Sequence, residues 1–192
     1  MRHPTSSPAT RGLVAPLALA LALGACTADS LTAPSPSTAH AAARSVFPAL
    51  SAATSAEAAY LAAVRRLLER AAEGLLYTSE SDYPFTFYSQ PARTSPPLTV
   101  GAFRHAAGVP ADSLVEEVSL DAFFARHIER VDPSDPVAVA LVPRYVALKL
   151  ALRATVRDPR VFRVGRVAVR CYVVGVDAFG NVTGLETVAI ET

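Results

Sequence analysis

The chain has 192 residues, enough for one ordinary domain and a short additional segment. Hydrophobic residues make up 51% of it, which excludes a chain too polar to bury a core. The 18 basic and 17 acidic residues nearly balance, so net charge argues neither for nor against a nucleic-acid partner. Prolines and alanines crowd into the first quarter, which separates an N-terminal part from a folded remainder.

Residues 1–25 have the pattern of a secretion signal. Two arginines precede an apolar run from Leu13 to Ala22, which is too short for an ordinary transmembrane helix. The run leads to Leu23-Gly24-Ala25-Cys26, which resembles the lipobox of bacterial lipoproteins. The resemblance implies that Cys26 is acylated and that the protein is exported and membrane-anchored, facing the periplasm or the cell exterior. A plain secretory signal cleaved near Ala25 is the alternative.

The next stretch, residues 26–52, is rich in alanine, proline and serine and is predicted to be a disordered tether. Residues 53–192 are then the folded domain. Acylation of Cys26 leaves Cys171 as a lone cysteine in an alternating, strand-like pattern, where a small buried hydrophobic residue is the simplest interpretation. A nucleophilic role for this cysteine requires a histidine partner, and no nucleophile motif surrounds the histidines of the domain.

A long helix opens the predicted domain. Thr54 and Glu57 match a capping box, and Gly74 is the natural stop signal. Apolar residues between these signals recur every three or four positions, which predicts one buried stripe. They are Leu61, Val64, Leu68, Ala71 and Leu75.

The helix is followed by an acidic turn that places Glu80 and Asp82 among serines, directly before Tyr83-Pro84. Proline biases the preceding tyrosine toward an extended conformation, so the helix should not continue. A short strand from Phe85 to Tyr88 is expected next. Serine and aspartate beside proline are ordinary turn residues, so this pattern alone favours a solvated loop.

Three shorter elements are predicted in the middle of the chain. Residues 98–107 form a short helix, and residues 115–118 form a strand. Residues 121–126 form a second short helix, capped by Ser119 or Asp121, whose two phenylalanines are expected in the core.

A second long helix follows the proline loop from Asp132 to Pro136 and runs to about Arg157. The last aspartate and proline of the loop suit the N-cap and the first helical position. Pro143 either kinks this helix or marks its real start. Lys149, Arg153 and Arg157 form a basic face that invites an interpretation as a nucleic-acid or anionic-membrane contact. Because no exposed aromatic residues are interleaved with it, a solvated surface is favoured.

From Val161 onward the periodicity becomes two residues, which indicates strands. The side chains of residues 167–174 are predicted to alternate between the two faces of a strand. The loop from Asp177 to Asn181 has the residues of a hairpin turn, and residues 182–190 form the second strand of the hairpin. The chain is therefore predicted to be α+β, with amphipathic helices and an antiparallel sheet.

Several segments of the domain are similar to one family, the inhibitors of sugar-non-specific nucleases typified by the cyanobacterial nuclease A inhibitor. The most specific segment is Ser79-Glu80-Ser81-Asp82-Tyr83-Pro84-Phe85. The others, in order, are Asp121 to Phe124, Asp158 to Gly165, Tyr172 to Gly175, Gly180 to Gly184 and the terminal Glu191-Thr192. The resemblance implies an α-β-α sandwich with a central, mainly antiparallel sheet and helices on both faces.

The resemblance also implies a function and a site. It implies a protein inhibitor, not an enzyme, that blocks the active site of a metal-dependent DNA/RNA endonuclease without binding nucleic acid directly. Glu80 would point at the metal of the partner nuclease, and Thr192 would coordinate that metal through its hydroxyl and terminal carboxylate. Asp82 and Asp132 would be rim contacts. No cofactor of the chain's own is implied, and oxygen ligands suit a hard divalent cation.

Two departures from the family pattern stand out. The sequence contains no tryptophan, and Pro133 stands where the type member has a large aromatic residue. The alternative function is therefore a cell-envelope lipoprotein that keeps this fold as a binding module without nuclease inhibition. An enzyme ranks last, because the sequence shows no nucleophile-base pair, metal-ligand spacing or phosphate loop.

Overall fold

A computed structural model describes the backbone of residues 36–192 and the side chains of residues 54–192. The predicted signal at residues 1–25, the acylation site Cys26 and the start of the predicted tether lie outside the described residues. Residues 44–192 form one compact unit. Within the described part of the chain, no helix combines the length and apolar character needed to cross a bilayer.

The described residues contain four helices and seven strands. The helices are α1 (Pro36–Ala72), α2 (Val100–Ala107), α3 (Leu120–Ile128) and α4 (Pro136–Thr155). The strands are β1 (Leu76–Thr78), β2 (Asp82–Pro84), β3 (Thr86–Gln90), β4 (Val115–Ser119), β5 (Arg157–Val164), β6 (Ala168–Val176) and β7 (Val182–Ile190).

Five of the strands form one antiparallel sheet in the order β3-β7-β6-β5-β4. Strands β1 and β2 form a separate two-stranded hairpin. Strand β7 lies between β3 and β6, so hydrogen bonds on both of its edges fix its register. This arrangement confirms the predicted α+β class.

The sheet carries a hydrophobic core on each face. Val161 packs in a cluster with residues of α1, α3 and α4, whereas the next residue, Phe162, packs in a second cluster with α2. The ring of Phe162 stacks on Phe103 of α2 with 4.3 Å between centroids. Alternate side chains of a strand point to opposite faces, so helices cover both sides of the sheet. The expected α-β-α sandwich is therefore present.

The first helix begins earlier than its sequence signals predicted. It starts at Pro36 rather than at Thr54, so residues 36–52 of the predicted tether are helical. The segment is rich in alanine, the residue with the highest helix propensity, which explains the longer helix. Thr54 and Glu57 therefore lie inside α1 and do not mark its start, and the Glu57 carboxylate accepts a hydrogen bond from the Asn181 side-chain amide at 2.9 Å. The predicted end is confirmed, since Gly74 has a left-handed φ of 67°.

The start of α4 agrees with its sequence signals. Asp135 caps the helix by accepting from two backbone amides, and Pro136 is the first helical residue. Pro143 lies inside the helix and is not its start. On the predicted basic face, Lys149 and Arg153 both pair with Asp121 of α3, at 3.1 and 2.8 Å. Two of the three cations of this face therefore share one carboxylate within the domain.

Cys171 lies in β6 with its side chain fully buried, as predicted. Burial raises the pKa of its thiol to about 11, so the thiol is protonated at neutral pH. A protonated, enclosed sulfur is a poor nucleophile, which agrees with a packing role.

Candidate functional site

The acidic turn is the tip of the β1–β2 hairpin. The sequence predicted a loop between a helix and a strand, and did not predict these two short strands. Thr78 pairs with Asp82, which leaves residues 79–81 as the turn. The Ser79 amide and hydroxyl both donate to the Ser81 carbonyl, at 3.1 and 3.0 Å. These bonds close the turn and hold Glu80 exposed at its tip.

The end of β7 lies against this turn. The Ile190 amide donates to the Ser79 hydroxyl oxygen at 2.9 Å, and the Glu80 amide donates to the Ile190 carbonyl at 3.4 Å. Two further contacts hold the following residue. The Glu191 amide donates to the Val167 carbonyl at 3.0 Å, and the Glu191 carboxylate pairs with Arg163. The last residues of the chain are thus fixed beside the hairpin tip.

Glu80 and Thr192 meet at this junction. Oε1 of Glu80 accepts hydrogen bonds from the Thr192 amide at 3.1 Å and from the Thr192 hydroxyl at 2.7 Å. Both residues are exposed. Within the described residues, the second carboxylate oxygen, Oε2, accepts no hydrogen bond. The pair therefore presents an uncommitted carboxylate oxygen and a hydroxyl oxygen side by side on the surface.

The two predicted rim residues, Asp82 and Asp132, are also exposed, but neither hydrogen-bonds to Glu80 or Thr192. Asp82 is at the start of β2. Asp132 lies in the α3–α4 loop, where its Oδ1 accepts from the Ser134 hydroxyl at 2.7 Å and from the Ser134 amide at 2.8 Å. The hydroxyl and amide donors lower the pKa of the Asp132 carboxyl, so it is ionised at neutral pH.

A cleft of about 500 Å³ separates the hairpin from the α3–α4 loop. Ser79 contributes to one wall, and Asp132 and Arg130 contribute to the other. Two helices hold the hairpin across this cleft. Arg126 of α3 donates to the Thr78 carbonyl at 2.5 Å, and Tyr145 of α4 donates through its hydroxyl to the Leu76 carbonyl at 2.6 Å.

His127 lies at the base of the cleft and is 8% exposed. Its ring stacks on Tyr145 at 4.5 Å between centroids and meets the edge of Tyr77 at 5.3 Å. Burial, assisted by the positive charge of Arg126, lowers the pKa of His127 to about 4, so the ring is neutral at pH 7. Its Nε2 is buried and has no hydrogen-bond partner among the described residues.

The sequence analysis singled out none of Arg126, Arg130, His127 and Tyr145 as a site residue. Arg126 is in the last turn of α3, whereas Arg130 lies two residues beyond the end of that helix, so no regular helical spacing connects them. The cleft itself depends on contacts between distant segments, which no local pattern indicates.

No group of three or more histidine, cysteine, aspartate or glutamate residues is positioned to hold a metal ion in the part of the chain that the structure describes. The oxygen ligands at Glu80 and Thr192 are instead displayed outward.

The fold and the site together define the class of the protein. It is a small α+β protein that displays a carboxylate and a hydroxyl side by side, at the tip of a surface hairpin and just beyond the end of β7. A family profile described as "Nuclease A inhibitor-like protein" matches residues 62–192. The match covers more than half of the chain, and the chain belongs to this family. A search of the curated proteins finds no match. Family membership makes nuclease inhibition the function at the level of the family, with a nuclease as the protein partner.

Proposed function

We propose that this protein inhibits a metal-dependent, sugar-non-specific DNA/RNA endonuclease by presenting Glu80 and Thr192 to its active site. The observation that carries the proposal is the direct hydrogen bonding of these two residues, which are 112 positions apart in the sequence. A folded chain that joins a hairpin tip to its last residue displays both groups on one rigid surface. The family supports a nuclease as the partner.

The chemistry of the pair suits a nuclease centre. Such a centre attracts phosphate with a hard divalent cation and basic side chains, and the cation prefers oxygen ligands. The free Oε2 of Glu80 offers one anionic oxygen. Thr192 offers its hydroxyl, and we propose that its α-carboxylate is a second ligand. These oxygens imitate a phosphate but contain no bond that the nuclease can cleave.

Asp82 and Asp132 are proposed to contact basic groups at the edge of the nuclease site. Asp132 suits this role because its hydrogen bonds with Ser134 fix its orientation and keep it ionised. Charges at an interface rim chiefly affect the association rate and the specificity. Replacing Asp132 should therefore slow complex formation more than it accelerates dissociation.

The test is titration of the purified protein into a metal-dependent, sugar-non-specific nuclease from the same genome while DNA cleavage is followed. The wild-type protein should inhibit, and Glu80→Ala should weaken inhibition by roughly 30-fold or more, the loss typical of a desolvated charged contact. Glu69→Ala is the matched control, because Glu69 is an exposed carboxylate on α1. Circular dichroism should show the same fold for all three. Wild-type potency in Glu80→Ala would show that the hairpin does not enter the active site.

A second experiment tests the terminal ligand. Two glycines added after Thr192 remove the carboxylate from this residue but keep its hydroxyl, whereas Thr192→Val removes the hydroxyl but keeps the carboxylate. Both variants should inhibit less than the wild type if Thr192 contributes both oxygens. Full inhibition by the extended protein would exclude the terminal carboxylate as a metal ligand.

Export and acylation at Cys26 are proposed from the sequence pattern. A lipid-anchored inhibitor would meet a nuclease outside the cytoplasm. In the bacterium that encodes it, Cys26→Ser should abolish incorporation of labelled palmitate and release the protein from the membrane fraction. Labelling of that variant at the wild-type level would refute acylation at this residue.

The alternative, an envelope module that binds through the basic face of α4, lacks comparable support. Asp121 pairs with both Lys149 and Arg153, and a guanidinium nitrogen of Arg144 donates to the Glu73 carbonyl. These contacts engage three of the cations that such binding would use.

A further inference from the structure

We propose that the cleft beside the Glu80–Thr192 pair receives an acidic side chain from a surface loop of the partner nuclease, with Arg130 as the counter-ion. The inference rests on the proposed function and adds a second anchor to it. The first anchor would contact the catalytic centre, and the second would recognise a particular nuclease.

The first observation is that Arg130 has no partner for its guanidinium within the described residues. Its side chain is exposed and lines the cleft, and within residues 54–192 its guanidinium has no hydrogen bond or ion pair. Several, but not all, of the other arginines within residues 54–192 are compensated. Arg153, Arg160 and Arg163 each pair with at least one carboxylate.

The acidic residues nearest to Arg130 in the cleft are committed elsewhere. Asp132 accepts from Ser134, and Asp135 accepts from the amides of Val137 and Ala138 at 3.0 and 3.1 Å as the cap of α4. Neither lies within ion-pairing distance of Arg130. Neither carboxylate is thus a direct counter-ion of Arg130, whose guanidinium needs an external partner once water is excluded.

The base of the cleft is uncharged. Leu141 and Tyr145 supply hydrocarbon and aromatic surface, and His127 is neutral at pH 7. A glutamate or aspartate side chain matches this arrangement, because its aliphatic stem can pack on the base while its carboxylate reaches the guanidinium. The volume of about 500 Å³ is larger than one side chain needs, so it also accommodates neighbouring residues of a loop.

The position of the cleft identifies which protein would fill it. Ser79 forms part of its wall and directly precedes Glu80 at the hairpin tip. A protein that contacts Glu80 and Thr192 would therefore lie beside the cleft, and one of its loops is proposed to cover the cleft mouth. Because Arg130 is then removed from water, a nuclease with a carboxylate at this point would be preferred over one without it.

The experiment measures the inhibition of the same nuclease by the full-length wild type, Arg130→Glu, Arg130→Ala and a control, Arg66→Glu. Arg66 is an exposed arginine on α1 outside the cleft. We expect roughly 30-fold weaker inhibition by Arg130→Glu, roughly tenfold by Arg130→Ala, and less than about threefold for the control. In a double-mutant cycle, alanine at one nuclease carboxylate outside its catalytic centre should weaken the wild-type complex and leave the Arg130→Ala complex unchanged.

Each other outcome overturns the inference. Equal inhibition by Arg130→Glu and Arg66→Glu rejects the cleft and leaves the proposed function intact. Absence of any coupled nuclease carboxylate rejects the acidic occupant. Inorganic phosphate that binds below millimolar concentration in an NMR titration of the wild type, and not of Arg130→Ala, assigns the cleft to a free anion instead. If the wild type inhibits no such nuclease, the proposed function fails together with the inference.

Discussion

Lowering the pH from 7 to 4 is expected to destabilise the fold through His127. Its side chain is 8% exposed, packed against Tyr145 and Tyr77. Burial is the main cause that lowers its pKa from 6.5 to about 4, Arg126 adds to the effect and Asp82 opposes it. The unfolded chain lacks this burial, so there the imidazole takes up a proton near pH 6.5.

The sign and size of the effect follow from these two pKa values. Between pH 6.5 and 4 the unfolded state binds more protons than the folded state, so the free energy of unfolding decreases as the pH falls. His127 does not destabilise the fold above its pKa in the unfolded state. The destabilisation is complete below its pKa in the folded state. With about 1.4 kcal/mol per pKa unit, the loss is about 2 kcal/mol at pH 5 and about 3 kcal/mol at pH 4.

Urea unfolding of the wild type, His127→Leu and His105→Gln at pH 7, 6, 5 and 4 measures this contribution. Carboxylates that titrate in the same range affect all three proteins equally, so the difference between variants isolates the histidine. His127→Leu should lose less stability on acidification than the wild type, by about 3 kcal/mol at pH 4. His105 is exposed, and its replacement should keep the wild-type slope. Parallel slopes for the wild type and His127→Leu would refute the reasoning.

Three further predictions concern the scaffold of the site. Asp177→Ala should lower the free energy of unfolding by about 3 kcal/mol or more in urea titration, because the buried carboxylate accepts from two backbone amides and two side chains of the β6–β7 turn. Asp112→Ala, at an exposed position, is its control and should change little. Gly184→Ala should prevent folding, as judged by circular dichroism, because the new Cβ would lie 2.1 Å from the Val173 carbonyl oxygen. Arg126→Ala should accelerate amide hydrogen exchange in the β1–β2 hairpin without unfolding the sheet, since it removes the donor to the hairpin's backbone; unchanged exchange would show that the hairpin is held elsewhere.

Local signals predicted much of the scaffold because they act between residues close in sequence. Asp135 and Pro136 mark the start of α4 through a side-chain cap and a fixed backbone angle. The alternation around Cys171 indicated a strand in which this cysteine is buried, and β6 confirms it. The hairpin at Glu80 was missed because its strands have three residues each, too few to show a periodicity.

The candidate site was only partly predictable, because its residues come from distant parts of the chain. Glu80 and Thr192 were singled out by resemblance to a family, and nothing in either local sequence indicates that they touch. Asp121 was predicted as a possible helix cap, but Ser119 caps α3, and Asp121 instead pairs with two cations of α4. The unpaired charge of Arg130 likewise depends on the orientations of the Asp132 and Asp135 side chains, which hydrogen-bond elsewhere.

The bond between Glu80 and Thr192 makes the binding surface dependent on the completeness of folding. Its two halves are 112 residues apart, and they come together only when β7 has paired with both β3 and β6 along its length. Contacts at such separation are late and slow to form. A partly unfolded chain would thus carry every residue of the site and yet be unable to engage a partner, so activity would report a finished sheet.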